Sequence, residues 1–257
     1  MLDFGVFMHE SAFSCSKIRV SCTGYCERIC FFQNLSSKER IDNTYYFNIS
    51  YLSQNNLHFN NLKNMKKALL VIDVQNIYTH SESELYCTDH KQTVKKINGL
   101  IEAFQKKGYP IVYIKHIHKA DGSDTGRMFD FAGPIEDFNF KEGSEEVEFD
   151  KDLYLVSNAT IIFKNRYSSF VGTSLEKILK ENNIDTVTIC GFMTNFCCES
   201  TARDAHDRDY YVEFISDATG APESETMNET KIREVVSELL SGGISKIFDY
   251  ETYSLEF

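Results

Sequence analysis

Residues 65–73 read MKKALLVID. Two lysines lead into five consecutive apolar residues, Ala68 to Ile72, and an acid closes the run. An unbroken apolar stretch this short, without alternation, is what a strand buried on both faces requires. It reads as the first strand of a domain with parallel strands, and Asp73 follows directly.

Downstream the pattern alternates. Residues 88–107 carry Val94, Ile97, Leu100, Ile101 and Phe104 at helical spacing, then stop at Gly108 with Pro110 beyond. Further strands are expected at 111–117, 160–163, 186–190, 211–215 and 244–248. Helices are expected at 173–181, 195–208 and 223–240, and residues 119–158 form a long acidic connection punctuated by glycines. Strands alternating with helices imply right-handed crossovers and an α/β fold, a mainly parallel six-stranded sheet covered on both faces.

Upstream the composition changes. Residues 1–64 hold six Lys or Arg against five Asp or Glu, whereas the remainder carries a net −12. The first segment is rich in Asn, Ser, Phe, Tyr and Cys and has no sustained period. It is expected to be an extension, poorly ordered or not native, ahead of a domain at 65–257. Its four cysteines, Cys15, Cys22, Cys26 and Cys30, match no familiar metal spacing and read as free thiols.

The net charge of −11 disfavours nucleic acid and anionic membrane surfaces. No run of about 18 apolar residues is present, and the start lacks a basic-then-apolar leader, so a cytoplasmic protein is expected. No glycine-rich phosphate or dinucleotide loop appears, so no organic cofactor is expected and the partner is a small-molecule substrate.

In open parallel sheets ligands bind beyond the carboxyl ends of the strands. Asp73 follows strand one, His116 and His118 end strand two, Lys164 follows strand three, and Cys197 lies in the turn after strand four. Singly each has an ordinary reading: a helix cap, a solvated charge, a small buried apolar residue. Topology nevertheless sends all of them to one crevice. With Thr194 as N-cap, Cys197 falls in a first helical turn, where amides and the helix dipole favour thiolate, and a Lys164 ammonium lowers the thiol pKa further. Asp73 then serves as proton acceptor and donor. Tyr78, Tyr167, Phe170 and Phe196 flank these positions and are candidate pocket walls alongside the two histidines.

The strings ALLVIDVQN (68–76), KNRYSSFVGTSL (164–175), GFMTNFCCESTARDAHDRDY (191–210) and SDATGA (216–221) resemble the isochorismatase-like cysteine hydrolases. That family includes nicotinamidase, N-carbamoylsarcosine amidohydrolase and ureidoacrylate amidohydrolase. The resemblance implies a three-layer α/β/α fold and an Asp73–Lys164–Cys197 triad. It also implies a cis peptide between Phe192 and Met193, an oxyanion hole of the Met193 and Cys197 amides, and a homo-oligomer. Nicotinamidases carry an Asp-x-His metal motif where this chain has His116-Ile117-His118. A metal is therefore not expected. The expected activity is hydrolysis of a C–N bond in a small amide, carbamoyl or ureido compound through a thioester. A metal-containing nicotinamidase and a degenerate binding protein are the alternatives.

Overall fold

The computed structural model describes residues 66–130 and 138–256, together with the backbone of three earlier strands. Those strands are β1 (Lys17–Val20), β2 (Glu39–Ile41) and β3 (Thr44–Asn48), an antiparallel sheet in the order β1-β3-β2. They belong to a compact unit spanning residues 1–64, separate from a second unit spanning 65–257. Cys15, Cys22, Cys26 and Cys30 lie outside the described residues.

The second unit contains strands β4 (Lys67–Ile72), β5 (Ile111–His116), β6 (Thr160–Lys164), β7 (Thr186–Phe192), β8 (Tyr211–Gly220) and β9 (Lys246–Phe248). They form one parallel sheet in the order β6-β5-β4-β7-β8-β9. Its helices are α1 (Asn76–Thr79), α2 (His90–Lys107), α3 (Leu175–Glu181), α4 (Glu199–His206), α5 (Glu229–Ser241) and α6 (Tyr250–Glu256).

The apolar run of β4 divides by parity. Ala68, Leu70 and Ile72 pack with residues of α3, α4 and α5, whereas Leu69 and Val71 pack with α2 and α6. Side chains of a strand alternate between faces, so both parities must be apolar when helices cover both sides. The outcome is the expected three-layer sandwich. Helix α2 buries Val94, Ile97, Leu100, Ile101 and Phe104, each contributing roughly 1.5–3 kcal/mol by leaving water. It ends at Gly108, whose φ of 69° closes the last turn.

Several boundaries differ from expectation. Strand β8 runs five residues past 215 because, after a register shift between Ile189 and Gly191, Thr219 and Gly220 pair again with Gly191 and Phe192 of β7. Helix α5 begins at Glu229 and not at 223, because the Asn228 side chain accepts the Lys231 amide and sets the N-terminus there. Helix α6 was not expected; Tyr253 anchors it, its hydroxyl donating to Glu213 Oε2 at 2.7 Å beneath the sheet.

The order of strands reverses between β4 and β7, whose neighbours were laid down in opposite directions. Such a switch point opens a crevice at the carboxyl ends. Asp73 leaves one side of it and Phe192–Cys197 the other.

Candidate active site

Asp73 leaves β4 with a φ of 51°, a left-handed conformation uncommon outside glycine. Its amide donates to the Ile114 carbonyl of β5, which holds the turn against the sheet. Strand β6 ends at Lys164, and β7 ends at Phe192, where a cis peptide joins Met193. The chain then makes one π-helical turn, Thr194–Cys198, before α4. Wide turns of this kind recur at functional sites.

These pieces bring the three expected residues together. Lys164 Nζ lies 2.7 Å from Asp73 Oδ2 and donates to Cys197 Sγ at 3.1 Å. It also donates to the Arg166 carbonyl at 3.0 Å. All three residues are buried.

Burial lifts the Asp73 carboxyl above its ordinary value, although the Lys164 ammonium pulls the other way. Burial pulls the Lys164 ammonium down, but Asp73 and Cys197 outweigh it and leave it more basic than usual. The Cys197 thiol is pushed up to about 12, chiefly by burial, with Lys164 opposing. This corrects the expected thiolate. Complete burial accounts for it. Thr194 does not cap: its hydroxyl donates to Thr219 Oγ1 at 2.9 Å, and Met193 takes the cap position. The Lys164 ammonium, moreover, is shared with Asp73.

His116 and His118 are both fully buried, with Nε2 facing Nε2 at 3.1 Å. Gln75, which sequence reasoning missed, fixes the first of them: its amide donates to the His116 carbonyl, and its carbonyl oxygen accepts the His116 amide at 2.8 Å. Phe140 stacks on the His116 ring at 4.2 Å between centroids. Burial, then Lys164 and His118, holds the His116 imidazole well below its ordinary pKa, so it is neutral.

The pocket candidates divide. Tyr167 and Phe196 are part-exposed, and their rings meet at 5.1 Å beside the triad. Tyr78 is buried and stacks on Phe192 at 5.4 Å, behind the turn. Phe170 lies in the core on the α3–α5 face, against Tyr210 and the Arg208 guanidinium. His206 is on the surface. A separate cleft of about 520 Å³, lined by His90, Lys91, Asp150, Asp152 and Tyr250 among others, contains none of the triad.

Asp73, His116 and Cys197 present possible ligand atoms within 4.8 Å of one another. The residues do not fit a metal ion. The Lys164 ammonium already contacts two of the three, and a second cation there would meet its charge at close range. The facing imidazoles do no better: the acid near them, Asp124, approaches His118 Nδ1 and not the facing nitrogens.

A model of the isochorismatase domain matches residues 67–241. Nicotinamidase 3 of Arabidopsis thaliana is 28% identical over 185 residues, covering 71% of this chain and 84% of the relative. N-carbamoylsarcosine amidase of an Arthrobacter species is 26% identical over 142 residues, 54% of each chain. A solved cysteine hydrolase from Pseudomonas syringae pv. phaseolicola is 27% identical, covers 73% of this chain and 90% of its own, and superposes with a TM-score of 0.67. With the domain model running through more than half of the sequence and the α/β fold shared with that hydrolase, the chain belongs to the isochorismatase family and is a hydrolase.

Proposed function

We propose that the chain hydrolyses a C–N bond of a small amide, carbamoyl or ureido compound, with Cys197 as nucleophile. The observation that carries this reading is the single ammonium of Lys164 lying between the Asp73 carboxylate and the Cys197 sulfur, all three out of water. Relatives bearing amidase names support the bond type.

Substrate binding brings a carbonyl to the sulfur. The thiol proton passes to Asp73, whose raised pKa suits it to take one, and the sulfur attacks the carbonyl carbon. Lys164 holds the thiolate in the meantime. At 3.1 Å and an effective dielectric near 20 that attraction is roughly 5 kcal/mol, against about 0.3–2 kcal/mol for a helix dipole. The ammonium therefore dominates, and the loss of the expected cap matters little. The amides of Met193 and Cys197 receive the oxyanion. Collapse breaks the C–N bond, and Asp73 returns its proton to the departing amine. Water then attacks the thioester carbonyl as Asp73 takes its proton; the C–S bond breaks, the proton returns to the Cys197 sulfur, and the acid leaves.

A panel of small primary amides, carbamoyl and ureido compounds tests the reading by released ammonia. Turnover of at least one class is expected; hydrolysis confined to non-amide bonds would contradict it.

A further inference from the structure

The cleft of about 520 Å³ that holds none of the triad runs along α2. From that helix His90, Lys91, Lys95, Asn98, Gly99 and Glu102 line it, at a spacing that puts them on one side. Asp150 and Asp152 from the connection before β6, and Tyr250 of α6, line it as well. Gly99 gives it room. Glycine inside a helix is unfavourable, but a Cβ at this position would stand 2.2 Å from the Tyr250 hydroxyl.

The charges sort by position along the cleft. Asn98 ties the connection to α2: its side-chain amide donates to the Asp152 carbonyl at 2.8 Å, and its side-chain carbonyl accepts the Tyr154 amide at 2.8 Å. The acids of the connection therefore stand beside Asn98. Along the helix axis, at about 1.5 Å of rise per residue, Lys95 lies about 4–5 Å and Lys91 about 10 Å toward the N-terminus, and Glu102 about 6 Å the other way. One end of the cleft is cationic, and its middle and other end are anionic.

These charges do not satisfy one another. Among the described residues, Lys91, Lys95, Glu102, Asp150 and Asp152 have no ion-pair partner. Two of the polar side chains are also nine-tenths buried. Asp150 is 8% exposed; its Oδ1 accepts the Asp152 amide at 2.8 Å, and its Oδ2 has no partner among the described residues. His90 is 9% exposed; its Nδ1 donates to the Cys87 carbonyl at 2.9 Å, which leaves Nε2 without a partner among the same residues. A carboxylate so far withdrawn from water gains from a charged donor.

We infer that this cleft binds a small zwitterion, a molecule carrying one carboxylate and one ammonium group as a free amino acid does. The carboxylate takes the Lys91 and Lys95 end, and the ammonium donates to Asp150, with Asp152 and Glu102 adding negative potential. A ligand of single charge meets its own sign at one end, whereas a zwitterion is matched at both. The site is separate from the catalytic crevice and does not depend on the bond that the crevice cleaves.

Isothermal titration of the full chain at about 0.15 M salt tests this, with glycine, β-alanine and 4-aminobutyrate, whose charges are progressively further apart, and with butyrate and butylamine as singly charged controls. At least one of the three zwitterions should bind with a Kd of about 1 mM or tighter, and each control about 10-fold more weakly or worse. Lys95→Gln and Asp150→Asn should each weaken that binding about 10-fold. Asn keeps an acceptor for the Asp152 amide, and circular dichroism melts check that both variants are folded. Cys197→Ala should bind as the unaltered protein does, which separates this site from the crevice. Absence of binding by all three zwitterions overturns the inference. So does equal binding of a control, unchanged binding in either charge variant, or loss of binding in Cys197→Ala.

Discussion

Gly191 pairs with Ile72 across the β4–β7 ladder, and a Cβ on Gly191 would stand 1.9 Å from the Ile72 carbonyl oxygen. Ile72 immediately precedes Asp73, and Gly191 begins the passage to Cys197. The close approach of these two backbones therefore sets the separation of Asp73 and Cys197.

Gly191 also has a φ of 122°, which side-chain-bearing residues rarely adopt. Gly191→Ala should cost about 3 kcal/mol or more, from backbone strain together with overpacking. Chemical denaturation measures it. A stable Gly191→Ala protein with full turnover would show that the two strand ends do not need this contact.

Asp73→Asn should lower kcat by about 10²–10⁴-fold with KM little changed, because the proton transfers are lost while the pocket keeps its shape. Lys164→Met should act differently. It leaves the Asp73 charge buried and unpaired, a loss of roughly 3–5 kcal/mol in stability on top of any loss of rate. Steady-state kinetics and thermal melts on the two variants separate the roles. A change confined to KM in Asp73→Asn would make Asp73 a binding residue.

The histidine pair makes stability depend on pH. In the unfolded chain His116 takes a proton near its ordinary pKa of 6.5, whereas the folded site resists protonation. The stabilisation is complete above pH 6.5 and is lost as pH falls below it, toward the folded pKa, at about 1.4 kcal/mol per pH unit. His116→Gln, which cannot titrate, should flatten the fall in melting temperature between pH 6.5 and pH 5. An identical slope in both proteins would contradict this origin.

Treatment with a strong chelator should leave turnover unchanged, since Lys164 supplies the positive charge that a metal would bring to Asp73 and Cys197. Elemental analysis showing stoichiometric metal, with activity lost on its removal, would contradict the reading of this site.

Most of the fold was legible because one physical requirement repeats. Strands covered on both faces must be apolar at both parities, and Ala68–Ile72 and Ile111–Ile114 have that signature. The site was legible because topology, not local sequence, gathers strand ends. What escaped notice depends on long-range partners. Thr194 looked like a cap, but its hydroxyl finds Thr219, 25 residues away in sequence. Gln75 has an ordinary local context, and only the fold brings it to the His116 backbone. Asp124 sits in a connection without a period, so nothing marked it as a partner of His118. The thiol pKa was misjudged because local position suggests a dipole, while complete burial, which sequence position alone does not report, has the larger effect.

We propose that the sulfur of Cys197, and not that of its neighbour Cys198, forms the bond to substrate. Both are buried, but only Cys197 receives the Lys164 ammonium, and burial, then the neighbouring Cys197, pushes the Cys198 thiol well above its ordinary value. Ammonia release from the best amide of the panel, measured side by side for Cys197→Ala and Cys198→Ala, tests this most directly. Cys197→Ala should lose about 10⁴-fold or more in kcat, and Cys198→Ala should retain most of its rate at some cost in stability. An active Cys197→Ala protein, or a loss of turnover that follows Cys198 instead, would contradict the account.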